Sequence, residues 1–215
     1  MGRLRFHIAM SLDGYVAGPN QSEAHPLGEG GMGLHEWIFE LAAWRANHGL
    51  EGGTRNASTP IIERALENIG ATIMGRNMFG GRGSWEESPW DGWWGSEPPF
   101  HTPVFVLTHH ARAPLEMDGG TTFTFVTDGI ESALEQARAA AAGRDVALAG
   151  GADAARQYLG AGLLDELQIH LVPILLHDGA RLFDGLDGTD PALECVGVAE
   201  APGVTHLTYR VSQPA

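Results

Sequence analysis

Leu4, Phe6 and Ile8 alternate with Arg5 and His7 between Arg3 and Met10, and this period of two predicts an opening strand that breaks at Asp13-Gly14. Short apolar runs at Ala71 to Met74, Pro103 to Leu107, Thr122 to Val126 and Val146 to Ala149 predict further, buried strands. Helical spacing fills the intervals. Leu34, Trp37, Ile38, Leu41 and Trp44 predict one amphipathic helix over Leu34 to Ala46. Thr59 as N-cap and Pro60 at the first helical position predict a second, ending near Gly70. Ile130 to Ala142 and Ala152 to Leu159 predict two more. In the last third, Leu167, Ile169 and Leu171, and then Leu207, Tyr209 and Val211, alternate with polar residues as antiparallel strands would. The order predicts a three-layer α/β fold: a mixed, mostly parallel sheet, helices on both faces and antiparallel C-terminal strands.

Composition narrows the partners. At 215 residues the chain fits one domain over 1–215, large enough to bury a core around a ligand cleft. A formal charge of −14 sets a repulsive field against nucleic acid and anionic membranes, so a small-molecule partner is expected. The only cysteine, Cys195, excludes an internal disulfide and reads as a small buried hydrophobe. The opening apolar run is too short for a secretory signal and no segment has the length of a membrane span, so a cytoplasmic location is expected.

Two motifs fail on context. Gly28-Glu29-Gly30-Gly31-Met32-Gly33 matches the dinucleotide pattern G-x-G-x-x-G, but the residues before it are polar and hold Pro26 where a strand is needed. His35-Glu36 suggests a zinc helix, yet Phe39 stands where the second ligand belongs, and His109-His110 has no ligand beside it; no metal is expected. The strand ends carry more. Three apolar strands run into Gly75-Arg76, Thr108-His109 and Gly150-Gly151, and ligands of open α/β sheets sit at carboxyl strand ends. Glycines there let a phosphate approach backbone N–H groups, a following helix favours the anion, and Arg76 adds a planar cation. The same glycines also serve as plain turn formers.

The series Met10-Ser11-Leu12-Asp13-Gly14, Thr72-Ile73-Met74-Gly75-Arg76-Asn77-Met78-Phe79 and Val104-Phe105-Val106-Leu107-Thr108 resembles the dihydrofolate reductase superfamily. Ala149-Gly150-Gly151-Ala152, Gly162 to Leu167 and Val172 to Leu176 resemble the reductase domain of bifunctional riboflavin-biosynthesis proteins. The resemblance implies a dihydrofolate-reductase-like fold and NADPH, with NADH as the alternative, bound by Gly75, Arg76, Thr108, Gly150 and Gly151, with Asn77 and Ala152 flanking them. It places Asp13 at the active site as electrostatic support, against the alternative of an Asp-Gly turn former. Met78 and His110 depart from the family pattern, where a Thr and a second basic residue are frequent, and Arg112 is available as a substitute.

The expected activity is hydride transfer from NAD(P)H to a small planar heterocycle or carbonyl, like that of the 5-amino-6-(5-phosphoribosylamino)uracil or dihydrofolate reductases. A flavin- or deazaflavin-dependent reductase and a ligand-binding module without chemistry are the alternatives. Glu36 and Glu40 read as a solvated helix face. Arg82 to Phe100 holds Trp85, Trp90, Trp93 and Trp94, and reads equally as a lid over a planar ligand, a subunit interface or loop packing. With the C-terminal strands, this loop is compatible with a homodimer.

Overall fold

A computed structural model describes residues 2–81, 84–86, 90–186 and 191–212 of the protein. Arg82, Gly83, Glu87, Ser88 and Pro89 of the Trp-rich stretch lie outside them. In chain order the strands are β1 (Leu4–Ser11), β2 (Tyr15–Ala17), β3 (Ile69–Gly75), β4 (Pro103–Leu107), β5 (Leu115–Glu116), β6 (Thr122–Val126), β7 (Asp145–Gly150), β8 (Glu166–Val172), β9 (Ala180–Arg181), β10 (Ala192–Ala201) and β11 (Val204–Ser212). The α-helices are α1 (Glu36–Phe39), α2 (Ala42–Asn47), α3 (Thr59–Leu66), α4 (Arg76–Phe79), α5 (Ile130–Ala141) and α6 (Ala152–Gly160).

One nine-stranded sheet runs β10-β11-β8-β1-β7-β3-β4-β6-β5. The six strands from β8 to β6 are parallel to one another, whereas β5, β10 and β11 pair antiparallel. This is the mixed, mostly parallel architecture with antiparallel C-terminal strands that the pattern predicts. β8 joins the two regimes, pairing parallel with β1 and antiparallel with β11. On one face Leu4, Phe6, Ala71, Ile73, Val146, Leu148, Leu167 and Ile169 pack under the alanine-rich sides of α5 and α6. Burial of these apolar side chains, at about 25 cal/mol per Å², is the main force seating the two helices.

The opposite face departs from a simple apolar-in, polar-out reading. Arg5, on the polar phase of β1, is buried: it pairs with Asp145 at 3.4 Å and Glu166 at 3.3 Å and donates to the Arg64 and Glu67 carbonyls at the end of α3. His170 and His206, on the polar phases of β8 and β11, are 2% and 1% exposed. Segment 31–66 covers these polar positions, so what alternates is the chemistry of two interiors.

That segment is not one helix. A 3-10 turn at Gly31–Leu34, α1 and α2 replace the predicted span from Leu34 to Ala46. The break falls at Leu41, which is fully buried and extended (φ −76°, ψ 129°) and bridges to Thr54. Its neighbours exchange bonds with Thr54: Ala42 N–H to the Thr54 carbonyl at 2.9 Å, Thr54 N–H to Glu40 at 2.6 Å. The N-cap of α3 is Ser58, and Thr59 is the first helical residue. α3 ends at Leu66; Gly70 lies inside β3, where an added Cβ would strike Ala141 of α5 at 2.7–2.9 Å. Cys195 is exposed on the edge strand β10, contrary to the buried position expected of it.

Candidate active site

The register of four adjacent parallel strands brings the predicted residues to one edge. β1, β7, β3 and β4 lie side by side, so Asp13, Gly150-Gly151, Gly75-Arg76 and Thr108 follow one another along the carboxyl ends. The Gly150–Gly151 peptide is cis. Gly75 touches this turn: a Cβ there would sit 3.5 Å from the Gly151 nitrogen and 3.6 Å from the Gly150 oxygen. At Gly151 an added Cβ meets nothing within 4 Å, so the backbone opens onto free space.

The helix starting at Ala152 has nine residues and no side-chain cap, leaving first-turn N–H groups available to an anion. α4 is a single four-residue turn, so the dipole support expected at Gly75-Arg76 is confined to α6. Ala152 packs into the core and can contribute only its backbone, while Asn77 is exposed.

Arg76 is the most telling side chain. Its guanidinium carbon lies 3.2 Å above the Trp85 ring centroid, and Nε donates to the Gly80 and Gly81 carbonyls at 3.0 and 3.3 Å. Among the described residues, both terminal nitrogens, Nη1 and Nη2, are buried without a hydrogen-bond partner. Burial and, secondarily, Arg112 lower its pKa. Arg112 lies 4.9 Å from the same indole centroid and bonds the Trp90 carbonyl and Asp91. Two cations thus share one aromatic platform, with unspent donors on Arg76. Thr108 is nearly buried; its Oγ accepts the His110 N–H at 3.1 Å, leaving the hydroxyl proton to donate.

The family assignment follows from the whole chain. A model of the RibD C-terminal domain matches residues 3–207. The chain belongs to that family. A search of curated proteins gave no match. Among solved structures, a riboflavin biosynthesis protein from Shewanella sp. PV-4 is 19% identical, with 99% of this chain and 100% of that chain covered and a TM-score of 0.62. A Thermotoga maritima diaminohydroxyphosphoribosylaminopyrimidine deaminase/5-amino-6-(5-phosphoribosylamino)uracil reductase is 13% identical; the match covers 98% of this chain but 56% of that one, with a TM-score of 0.57. The riboflavin biosynthesis reductase of Saccharomyces cerevisiae is 14% identical over 99% and 89% of the chains, at a TM-score of 0.53. At these identities the likeness is one of fold.

Within this family frame, Asp13 is held rather than free. Oδ1 accepts the Ser11 hydroxyl at 2.6 Å and the Leu176 N–H at 3.2 Å, and Oδ2 accepts the His177 N–H at 2.8 Å. The Ser11 hydroxyl, with the two backbone N–H groups, lowers its pKa to about 2 against the opposing effect of desolvation. The tryptophans divide. Trp90 and Trp93 donate to the Phe79 and Met78 carbonyls at 2.8 and 2.9 Å, closing α4, and Trp94 packs on Phe100 and Phe123. Trp85 alone of the four lies beneath the two arginines. The glycine loop from Gly28 to Gly33 packs against Gly18, Ile174 and Leu176 as a spacer.

Sequence reasoning missed the histidines. His7, His35, His170 and His206 gather on the sheet face beneath Trp37, whose ring lies 5.1 Å from His170 and 5.2 Å from His206. The signal was present in the polar phases of three strands, but the alternation assigned those phases to solvent.

Proposed function

We propose that the protein is a reductase that binds NADPH, or NADH in its place, along the carboxyl edge of β1, β7, β3 and β4. The observation that carries the reading is the pair of buried Arg76 nitrogens over Trp85 that have no partner among the described residues, beside an uncapped α6 and a glycine that opens onto free space. A buried guanidinium donor left unpaired is costly, and a phosphate oxygen pair matches its planar fork. The first turn of α6, entered from Gly150-Gly151, suits a pyrophosphate, and the Thr108 hydroxyl adds a donor at the end of β4, on the other side of Arg76.

When bound, the reduced nicotinamide supplies a hydride to a carbonyl or imine carbon of a small planar substrate. The chain's part is positioning and exclusion of water. Asp13, ionised at neutral pH, ties the Leu176–His177 backbone to the end of β1 and sets a fixed negative charge there; it holds no proton to donate. Titration of the protein with NADPH, NADH and flavin mononucleotide, followed by tryptophan fluorescence, tests the reading. Quenching by a nicotinamide below about 1 mM is expected. Binding of the flavin alone, or of none of the three, overturns it.

A further inference from the structure

The first turn of α6 carries a charge of the wrong sign for the ligand proposed there. Ala152, Ala154 and Ala155 are buried, and Asp153, its side chain 70% exposed, is what this turn presents to solvent. A carboxylate in that position interacts favourably with the helix dipole, which is the structural use of such a residue. It also stands within one helical turn, about 5 Å, of the N–H groups that an anion would approach, and it repels the anion.

Arg156 answers that charge. Its Nη2 pairs with Asp153 Oδ1, and its Nη1 donates to the Arg181 carbonyl of β9 at 2.8 Å. An exposed pair three residues apart on a helix ordinarily gains little, because two long side chains must be ordered to form it. Here β9 orders the arginine from outside the helix. β9 is itself fixed to the segment that carries Asp13: it pairs with β2, and the Leu182 N–H donates to the Gly14 carbonyl at 3.2 Å. The Arg181 guanidinium is spent elsewhere, on Asp184 at 3.3 Å and over the Tyr15 ring at 5.2 Å.

The other flank of the turn leads to the aromatic platform. A Cβ added at Gly75 would lie 3.5 Å from the Ala154 Cβ, and Arg76 follows Gly75 directly. The edge thus holds Arg76 and Arg112 over Trp85 at one side, and at the other a carboxylate cancelled by Arg156. We propose that Arg156 is a positioning residue of the cofactor site: braced by the Arg181 carbonyl, it cancels the charge of Asp153 and so lets a diphosphate settle on the first turn of α6. It acts on the cofactor through that carboxylate. The inference rests on the reductase reading, which brings a nicotinamide dinucleotide to this turn.

The test is isothermal titration of the full chain and of Asp153→Asn, Arg156→Ala and the double variant, with inorganic pyrophosphate and with NADPH, at low and at high salt. At low salt Arg156→Ala binds both about three- to tenfold more weakly, Asp153→Asn binds both about threefold more tightly, and the double variant returns to within about twofold of the parent. High salt shrinks these differences, as it does for exposed charges. Asp153→Asn also melts slightly lower, since the helix loses its first-turn charge. A gain in affinity together with a loss in stability is a combination that a merely structural residue does not give, and Asp153→Asn carries the test by itself if Arg156→Ala does not fold. NADPH affinities equal in all four proteins, an affinity that falls in Asp153→Asn, or a double variant as weak as Arg156→Ala overturns the proposal and leaves the reductase reading standing. Pyrophosphate that follows the expected pattern in a protein that binds no nicotinamide keeps Arg156 in this role and removes that reading. Binding of neither ligand overturns both.

Discussion

The Arg76 guanidinium carbon lies over the Trp85 indole, 3.2 Å from its centroid, and among the described residues neither terminal nitrogen is paired. The stack fixes the orientation of the fork before any ligand arrives, so little side-chain entropy is lost when it engages an anion. Arg76→Ala is expected to weaken NADPH about 10- to 100-fold, the range of one charge-assisted hydrogen-bonding pair. Isothermal titration with both nicotinamides reads where the arginine acts. A larger loss for NADPH than for NADH assigns it to the 2'-phosphate, and equal losses assign it to the pyrophosphate.

Gly150 and Gly151 should respond differently to the same substitution. Gly150 has φ +129°, a region that side chains avoid, and a Cβ there would lie 3.6 Å from Met78 Sδ. Gly150→Ala is expected to lower the melting temperature. At Gly151 a Cβ meets no protein atom within 4 Å, so Gly151→Ala should stay within about 0.5 kcal/mol of the parent in urea titration. Its methyl group would occupy the space a pyrophosphate needs, and NADPH affinity should fall at least about tenfold. Unchanged affinity in Gly151→Ala places the cofactor elsewhere.

The convergence of the candidate residues at one sheet edge was legible because it is local: an apolar run that stops at Gly75 or at Gly150-Gly151 announces both the strand and the backbone freedom after it. The histidine cluster was not, because His7, His170 and His206 are separated in sequence and share only a polar phase. Deciding that this phase faces protein required knowing that Trp37 and Ser58 would arrive over it from segment 31–66. That segment was itself misread, since Leu34, Trp37, Ile38, Leu41 and Trp44 keep helical spacing across a break set by Thr54. The Trp-rich stretch offered three readings, and the partners its tryptophans take, the Phe79 and Met78 carbonyls and the Arg76 guanidinium, are invisible to pattern.

The buried imidazoles make the fold sensitive to mild acid. His7 and His206 titrate near 4 in the folded protein against 6.5 in an unfolded chain, chiefly because burial disfavours the charged ring. The unfolded state takes up protons first, so stability is full above about pH 6.5 and falls as the pH drops towards 4. Urea midpoints measured across that window should decline steadily. His7→Asn removes one of the titrating groups and should flatten the decline. An identical slope in the variant shows that His7 does not contribute.

Asp13 acts in a lower window, its pKa also lowered, but by bonds that favour the charged form where burial of the histidines disfavours it. Its carboxylate gathers Ser11, Leu176 and His177, and these bonds favour the ionised form, lowering the pKa from 3.8 to about 2. A carboxylate with a depressed folded pKa stabilises the fold above its unfolded value, and the contribution is lost as pH falls from about 4 to about 2. Asp13→Asn keeps the shape but cannot carry the charge, so its melting temperature should lie below the parent's at pH 7. The gap should close as the parent is acidified through that window, because both proteins then present a neutral group to the Leu176 and His177 amides. A gap that persists at pH 2 assigns Asp13 a role in shape and packing, since the charge on its carboxylate is gone by then.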